Sequence, residues 1–387
     1  MTAPAILDKV HSEQLINIDP WLGNFAERAE ASRKARQLAD QSIAELKESG
    51  LIRAFLPRQW GGLECTPQEF FAKQIAIAER DMSTGWVAGI IAVHAFQIAL
   101  MDEQAQRDVY QDDPDTCVSS SYNPVGARVE AADGGCRVSG RWGWSSGSHH
   151  CTWALLGGIV PGEGYRTFLI PRGDYRIEDT WYPMGLHATG SNDIVIDEPV
   201  FVPDYRSHKR VDGFLCRNEQ ENPMYSIPWA QIFIRIVSSP AIGAAKHAIQ
   251  LFVEKLGNSS TDLTKKANDP DVTSRIARAR NLIDETEAVM YRNFDAMMAH
   301  VSAGEEIPMV DRVRFRYHAS LVIDKMKEAV DLLFDVAGGR SVYDGHPLQD
   351  IWLDIHIARS HVANNPVGFA RNLGGMIIGA DSQDEFV

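Results

Sequence analysis

Cysteine is scarce. There are five in 387 residues, Cys65, Cys117, Cys136, Cys151 and Cys216, an odd number with no C-x-x-C pair. That argues against a disulfide framework and a cysteine-rich zinc centre, and it suits a reducing, cytoplasmic setting. Basic charge is also short: Lys plus Arg total 38 against 52 Asp plus Glu, a formal net charge of −14. The surface therefore lacks the positive field on which nucleic-acid and anionic-membrane binding rest, and a small-molecule ligand is expected instead. No apolar run reaches a comfortable membrane span. The longest, Gly85 to Met101, contains His94 and Gln97 and reads as a buried core helix. The first residues, MTAPAILDKVHSEQ, have no basic region followed by an apolar one, so no signal peptide is expected. The dinucleotide fingerprint G-x-G-x-x-G and the P-loop are both missing, so a nucleotide cofactor would need another architecture.

Ordinary globular material fills the rest, with 44% hydrophobic and 23% charged residues, which excludes disordered and fibrous classes. The length predicts two or three domains, or one large composite, with a sizeable core. Residues 1–115 read as helical. Asp19-Pro20 opens a long amphipathic segment running to Leu51, the turn Pro57-Arg58-Gln59-Trp60-Gly61-Gly62 breaks it, and Thr66-Pro67-Gln68-Glu69 has the spacing of a capping box. Asp102 is placed to cap a further short helix. From about Thr116 the pattern changes to strand-like runs at Cys117–Tyr122, Cys136–Trp142, Thr152–Leu156, Thr167–Ile170 and Ile194–Ile196, ending near Val202-Pro203. Turn residues between them predict a small antiparallel barrel or sandwich over 116–225. Helix returns at Pro228 and fills 226–387. Pro240 kinks or restarts it, and a long helix after Asp311, with Val322, Met326, Val330 and Leu333 on one face, stops at Gly338-Gly339. The division is 1–115, 116–225 and 226–387, an α+β chain.

Several local patterns invite chemistry. Gly143-Trp144-Ser145-Ser146-Gly147 matches the G-x-S-x-G nucleophile elbow, but strand follows it where the elbow needs a helix, so it reads as coincidence. His149-His150-Cys151 and the pair His356 and His361 lack metal-ligand spacing, and no metal is expected. His94, in an almost wholly apolar helix, is either a satisfied core histidine or a general base tuned by burial, and the sequence leaves both open.

The order helical, β, helical resembles the acyl-CoA dehydrogenase superfamily, and four local motifs carry the resemblance in the right order. Pro57 to Gly62 is similar to its P-x-x-[YW]-G-G turn, and Val138 to Gly147, ending Trp144-Ser145-Ser146-Gly147, to the strand beside its flavin. Gly185-Leu186-His187-Ala188-Thr189-Gly190-Ser191 leading to Val200-Phe201-Val202-Pro203 is similar to its G-x-R-x-S…V-x-V-P segment. Gly338-Gly339 with Pro347-Leu348 and Asp354 resembles its carboxyl-terminal G-G-x-G…R-D element. Where the dehydrogenases carry a catalytic glutamate, this chain has Ser360-His361-Val362-Ala363-Asn364. Without that base, α-proton abstraction from an acyl thioester has no usual route.

The chain instead resembles the flavin-dependent monooxygenase branch, the oxygenase components that hydroxylate 4-hydroxyphenylacetate, phenolic seco-steroids and indoles. The seco-steroid type is the most similar, although His187 stands where many relatives have arginine. The resemblance implies FADH2 or FMNH2 supplied by a separate flavin reductase, dioxygen, a flavin C4a-hydroperoxide, a small aromatic substrate and a homotetramer. It assigns Tyr122, Asn123, Trp144, Ser146, Thr189, Ser191, Gly338 and Gly339 to the cofactor. Ser146 is expected to hold the flavin N5–H proton, and His361, ahead of His94, to act as the base for a phenol or indole. The rivals are an acyl-CoA dehydrogenase-like enzyme with a relocated base and a non-catalytic flavin-fold binding protein.

Overall fold

The computed structural model describes residues 16–210, 214, 216–257, 267–384 and 386. The amino-terminal segment expected to lack a signal peptide lies outside them. The first helices are α1 (Leu22–Ala35), α2 (Asp40–Glu48), α3 (Pro67–Ala78), α4 (Met82–Ala99) and α5 (Glu103–Tyr110). Thr66 and Glu69 form the reciprocal capping box that starts α3, and Asp102 caps α5 through the Gln104 amide, as their spacing predicts. The long segment expected from Asp19 to Leu51 is instead two helices. Arg36 takes the left-handed conformation at φ 56° and closes α1, its guanidinium bound by both oxygens of Asp179. Helix α4 is apolar and long enough to pass for a membrane span, yet every residue of it is buried within the protein.

Eight strands follow. They are β1 (Val118–Ser121), β2 (Ala127–Ala132), β3 (Gly135–Ser145), β4 (Trp153–Val160), β5 (Gly164–Pro171), β6 (Arg176–Glu178), β7 (Asn192–Pro203) and β8 (Ser207–Lys209). They form two four-stranded sheets, ordered β1-β4-β5-β8 and β2-β3-β7-β6. Every pair is antiparallel except β1 with β4, a departure from the all-antiparallel expectation. Val138, Trp142, Leu156, Phe168 and Ile194 pack between the sheets, and the Trp142 indole N–H donates to the Gly157 carbonyl of the facing sheet at 2.7 Å.

The carboxyl-terminal helices are α6 (Trp229–Ile236), α7 (Pro240–Gly257), α8 (Pro270–Ser302), α9 (Met309–Ser320), α10 (Val322–Ala337), α11 (Pro347–Ala358) and α12 (Pro366–Ile377). Pro240 restarts the helix, as expected. The single helix expected after Asp311 is interrupted at Leu321, and its second half ends at Gly338. One apolar core joins both helical regions to the inner face of the first sheet, where Val118, Leu155 and Leu169 meet α4. Gln74 of α3 ties that junction together. Its amide nitrogen donates to the carbonyls of Gly85 and Ile236 at 3.1 and 3.0 Å, and its oxygen accepts from Ser239 Oγ at 2.6 Å. Buried polar groups so satisfied fix the relative placement of three helices.

Candidate active site

Between α4, the strand ends and the carboxyl-terminal helices lies a cavity of about 1110 Å³. That exceeds what a single small ligand needs. Its walls are mostly apolar and rich in aromatic rings, among them Trp86, Tyr122, Trp144, Trp181, Trp229 and Phe233. Tyr122 meets Phe233 edge-on at 5.0 Å between ring centres, and Phe233 tilts against Trp229 at 5.4 Å.

Of the residues singled out in the sequence, Tyr122, Asn123, Trp144, Ser146, Thr189, Ser191 and His361 all line this cavity. Sequence separation hides how three of them connect. Thr189 Oγ1 donates to the Leu186 carbonyl at 2.9 Å, so toward Ser191 Oγ, 2.7 Å away, it acts as acceptor. Ser191 has then spent its proton on Thr189 and accepts from Ser146 Oγ at 2.8 Å. Ser146 in turn receives the Trp86 indole N–H at 3.2 Å. Each hydroxyl has one proton to give, so this ordering leaves Ser146 a lone pair and no donor for whatever enters the cavity. Gly147 permits the arrangement: its φ is 69° and its backbone abuts Val87 and Ile91 of α4, where an added Cβ would come within 3.0 and 3.2 Å.

Trp144 sits in an irregularity of β3 between Trp142 and Ser145, with φ 64°. A bulky residue in the left-handed region stores strain, and bulges re-aim side chains at sites. Here the indole is turned out at the cavity rim, 67% exposed. An uncovered indole, an acceptor-only hydroxyl and a deep aromatic cleft fit a flat, N–H-bearing ring system such as reduced flavin. Tyr122 and Asn123 are partly committed elsewhere, the phenol to Gln97 at 2.7 Å and the amide oxygen to the Val125 N–H at 3.1 Å.

His361 faces the cavity from the loop after α11. Its Nδ1 accepts the Ala363 N–H at 3.2 Å, which in the neutral ring leaves the proton on Nε2. Burial, with help from the Arg316 charge, lowers its pKa to about 4, so the ring is neutral near pH 7 and offers the cavity a donor. That polarity is opposite to the one a general base needs. His94 does not line the cavity. It is wholly buried in α4, its Nδ1–H donates to the Val118 carbonyl at 2.8 Å, and burial lowers its pKa to about 4. Gly338 and Gly339 also lie away from the cavity, exposed at the end of α10. No cluster that could hold a metal occurs among the described residues. Sequence reasoning missed Trp86, which orients Ser146, and Arg316, a cavity-lining guanidinium; in sequence Arg316 is one of three closely spaced arginines with Arg312 and Arg314, and nothing local sets it apart.

Known proteins resemble this chain over most of its length. Residues 235–366 match the family described as acyl-CoA dehydrogenase, C-terminal domain. The oxygenase subunit HsaA of a flavin-dependent monooxygenase from Rhodococcus jostii (strain RHA1) is 38% identical over 360 residues, 90% of this chain and 94% of that protein. The oxygenase component of p-hydroxyphenylacetate 3-hydroxylase from Acinetobacter baumannii is 29% identical, over 96% of this chain and 90% of that protein. The crystal structure of 3-HSA hydroxylase from Rhodococcus sp. RHA1 superposes with a TM-score of 0.91 at 36% identity, covering 97% of this chain and 99% of that one. The chain belongs to the family of oxygenase subunits of flavin-dependent monooxygenases, built on the acyl-CoA dehydrogenase fold.

Proposed function

We propose that this protein is the oxygenase component of a two-component flavin-dependent monooxygenase that hydroxylates an electron-rich aromatic ring, a phenol or an indole. The observation that carries this reading is the ordered chain Trp86–Ser146–Ser191–Thr189, which makes Ser146 an acceptor at an aromatic cavity. When bound, FADH2 or FMNH2 supplies the electrons that turn dioxygen into an electrophilic oxygen donor. Ser146 would hold the N5–H proton of that ring, and Trp144, with Thr189 and Ser191, would flank it. With cofactor and substrate in place, the apolar walls would keep water from the reacting atoms. With a phenol, His361 would donate its Nε2–H to the ring oxygen and stabilise the negative charge that makes the ring nucleophilic. Gly338-Gly339, exposed and away from this cavity, would meet a neighbouring copy or the far end of that copy's cofactor. A separate reductase, a homotetrameric assembly and a cytoplasmic location complete the proposal. The oxygenase-component relative supports the first and the unpaired cysteines suit the last.

Ser146→Ala tests the reading. It should raise hydrogen peroxide released and lower hydroxylated product per reduced flavin consumed, by at most the ~2.7–4 kcal/mol that one site hydrogen bond contributes to a transition state. An unchanged ratio of product to peroxide would remove Ser146 from the mechanism. A dehydrogenase would show instead as flavin bleaching by acyl-CoA thioesters.

A further inference from the structure

Three arginines are buried among the described residues, Arg166, Arg235 and Arg316, at 5%, 2% and 3% exposure. Arg166 is held as buried cations usually are, by two carboxylates, Glu163 and Asp204. Arg316 has no such partner among the described residues. Its Nη1 donates to the Ala363 carbonyl at 3.1 Å, and its guanidinium lies 3.6 Å from the centre of the Phe369 ring. Its Nε is buried with no partner. The nearest acidic influence is Asp384, which itself stands 4.0 Å from Arg210. Arg235 adds a second buried positive charge close by. Among the described residues neither of these two cations has a carboxylate bound to it, and a buried guanidinium left so favours an anion brought from outside.

Arg316 lines the aromatic cavity, and the carbonyl it binds is two residues along from His361. His361 presents its Nε2–H to the same space. We propose that Arg316 and His361 form an anion site that holds a negatively charged oxygen of the aromatic substrate. The inference rests on the hydroxylase reading and specifies its substrate: an aromatic oxyanion, borne either by a side-chain carboxylate or by the ring as a phenolate. A guanidinium suits either source because it presents several donors in a rigid fork.

The test is calorimetric binding to the full-length protein of 4-hydroxyphenylacetate and of its neutral isostere 4-hydroxyphenylacetamide, together with the visible absorbance of bound 4-nitrophenol. Each is measured for the parent, Arg316→Met and Arg316→Lys. If a carboxylate is held, the acid binds more tightly than the amide and Arg316→Met erases the preference, a loss of roughly ten- to a hundredfold for one charge-assisted hydrogen bond. If a phenolate is held, acid and amide bind alike, and bound 4-nitrophenol ionises at lower pH in the parent than in Arg316→Met. Arg316→Lys should recover part of either effect, because it restores the charge without the fork. Circular dichroism and melting temperature establish that each variant is folded. If the folded Arg316→Met variant matches the parent in both arms, the anion site is wrong. Hydroxylation of the same phenols by the parent with reduced flavin and oxygen, measured alongside, keeps the hydroxylase reading standing in that outcome. Failure of every phenol to be hydroxylated would overturn the functional reading itself.

Discussion

At His361 the tautomer decides the role. A general base would need a lone pair on Nε2, which would place a proton on Nδ1 facing the Ala363 N–H, two donors opposed. His361→Gln, which can still donate an N–H, should therefore keep more hydroxylation than His361→Ala. With a base, both would fail alike, by the 10²–10⁴-fold typical of general-base catalysis. Product formed per reduced flavin in the two variants distinguishes the roles. Three histidine rings also set an acid limit. His94, His361 and His318 all have pKa values lowered from the ordinary 6.5 to about 4, chiefly by burial. Between those values the unfolded chain binds protons that the folded one refuses, so their contribution to stability is full above pH 6.5 and lost as pH falls toward 4. Asp354 works in the opposite sense. Burial raises its pKa from 3.8 to about 7, so the folded state binds its proton first and gains as pH falls through that range. Three rings outweigh one carboxyl, and denaturant melts at pH 7 and pH 5 should show a less stable protein at pH 5. The loss should shrink in His94→Gln, whose ionisable ring is gone, and an equal loss would contradict the assignment.

Helix α4 and the turn holding Thr189 position the site. Gly89 of α4 lies against Gln74, where an added Cβ would come within 1.9 Å of the amide nitrogen and 2.9 Å of Ile236. Gly89→Ala should therefore destabilise by about 1–3 kcal/mol through overpacking, lowering the melting temperature although alanine is the better helix former. On the turn, Asp354 of α11 accepts the Leu186 N–H at 2.6 Å, and the Leu186 carbonyl anchors Thr189. Asp354→Ala leaves a buried N–H unpaired, at about 1–3 kcal/mol, and should increase peroxide release along with instability. Asp354→Asn keeps an acceptor and should largely preserve coupling of flavin oxidation to product. Much of this scaffold was legible in the chain. Thr66 and Glu69, Asp102, Pro240 and the apolar run around His94 each act through neighbours a few residues away. The short strands β2, β6 and β8, the parallel pairing of β1 with β4 and the break at Arg36 were not legible. They depend on partners distant in sequence: strand register for the first two, and Asp179 for Arg36.

At the scale of the molecule, the cavity exists only where all three segments of the chain meet. Trp86 comes from the first, Ser146, Thr189 and Ser191 from the second, and Arg316 and His361 from the third. The motifs around Ser146 and Ser191 revealed two walls in the sequence. Their joining into one proton-ordered chain, and the burial of Arg316 with no carboxylate bound to it among the described residues, appear only once the chain is folded. A site that awaits reduced flavin from a separate reductase should retain FADH2 or FMNH2 better than the oxidised forms. Ultrafiltration with and without oxygen checks this, and stronger retention of oxidised flavin would count against a two-component enzyme. The most direct measurement supplies chemically reduced flavin to the protein without any reductase, adds a phenol and isotopically labelled dioxygen, and follows the label by mass spectrometry. The account predicts a hydroxylated ring carrying one oxygen atom from dioxygen, with hydrogen peroxide as the minor product. Complete conversion of the electrons to hydrogen peroxide across a panel of phenols and indoles, with no labelled product, would contradict it.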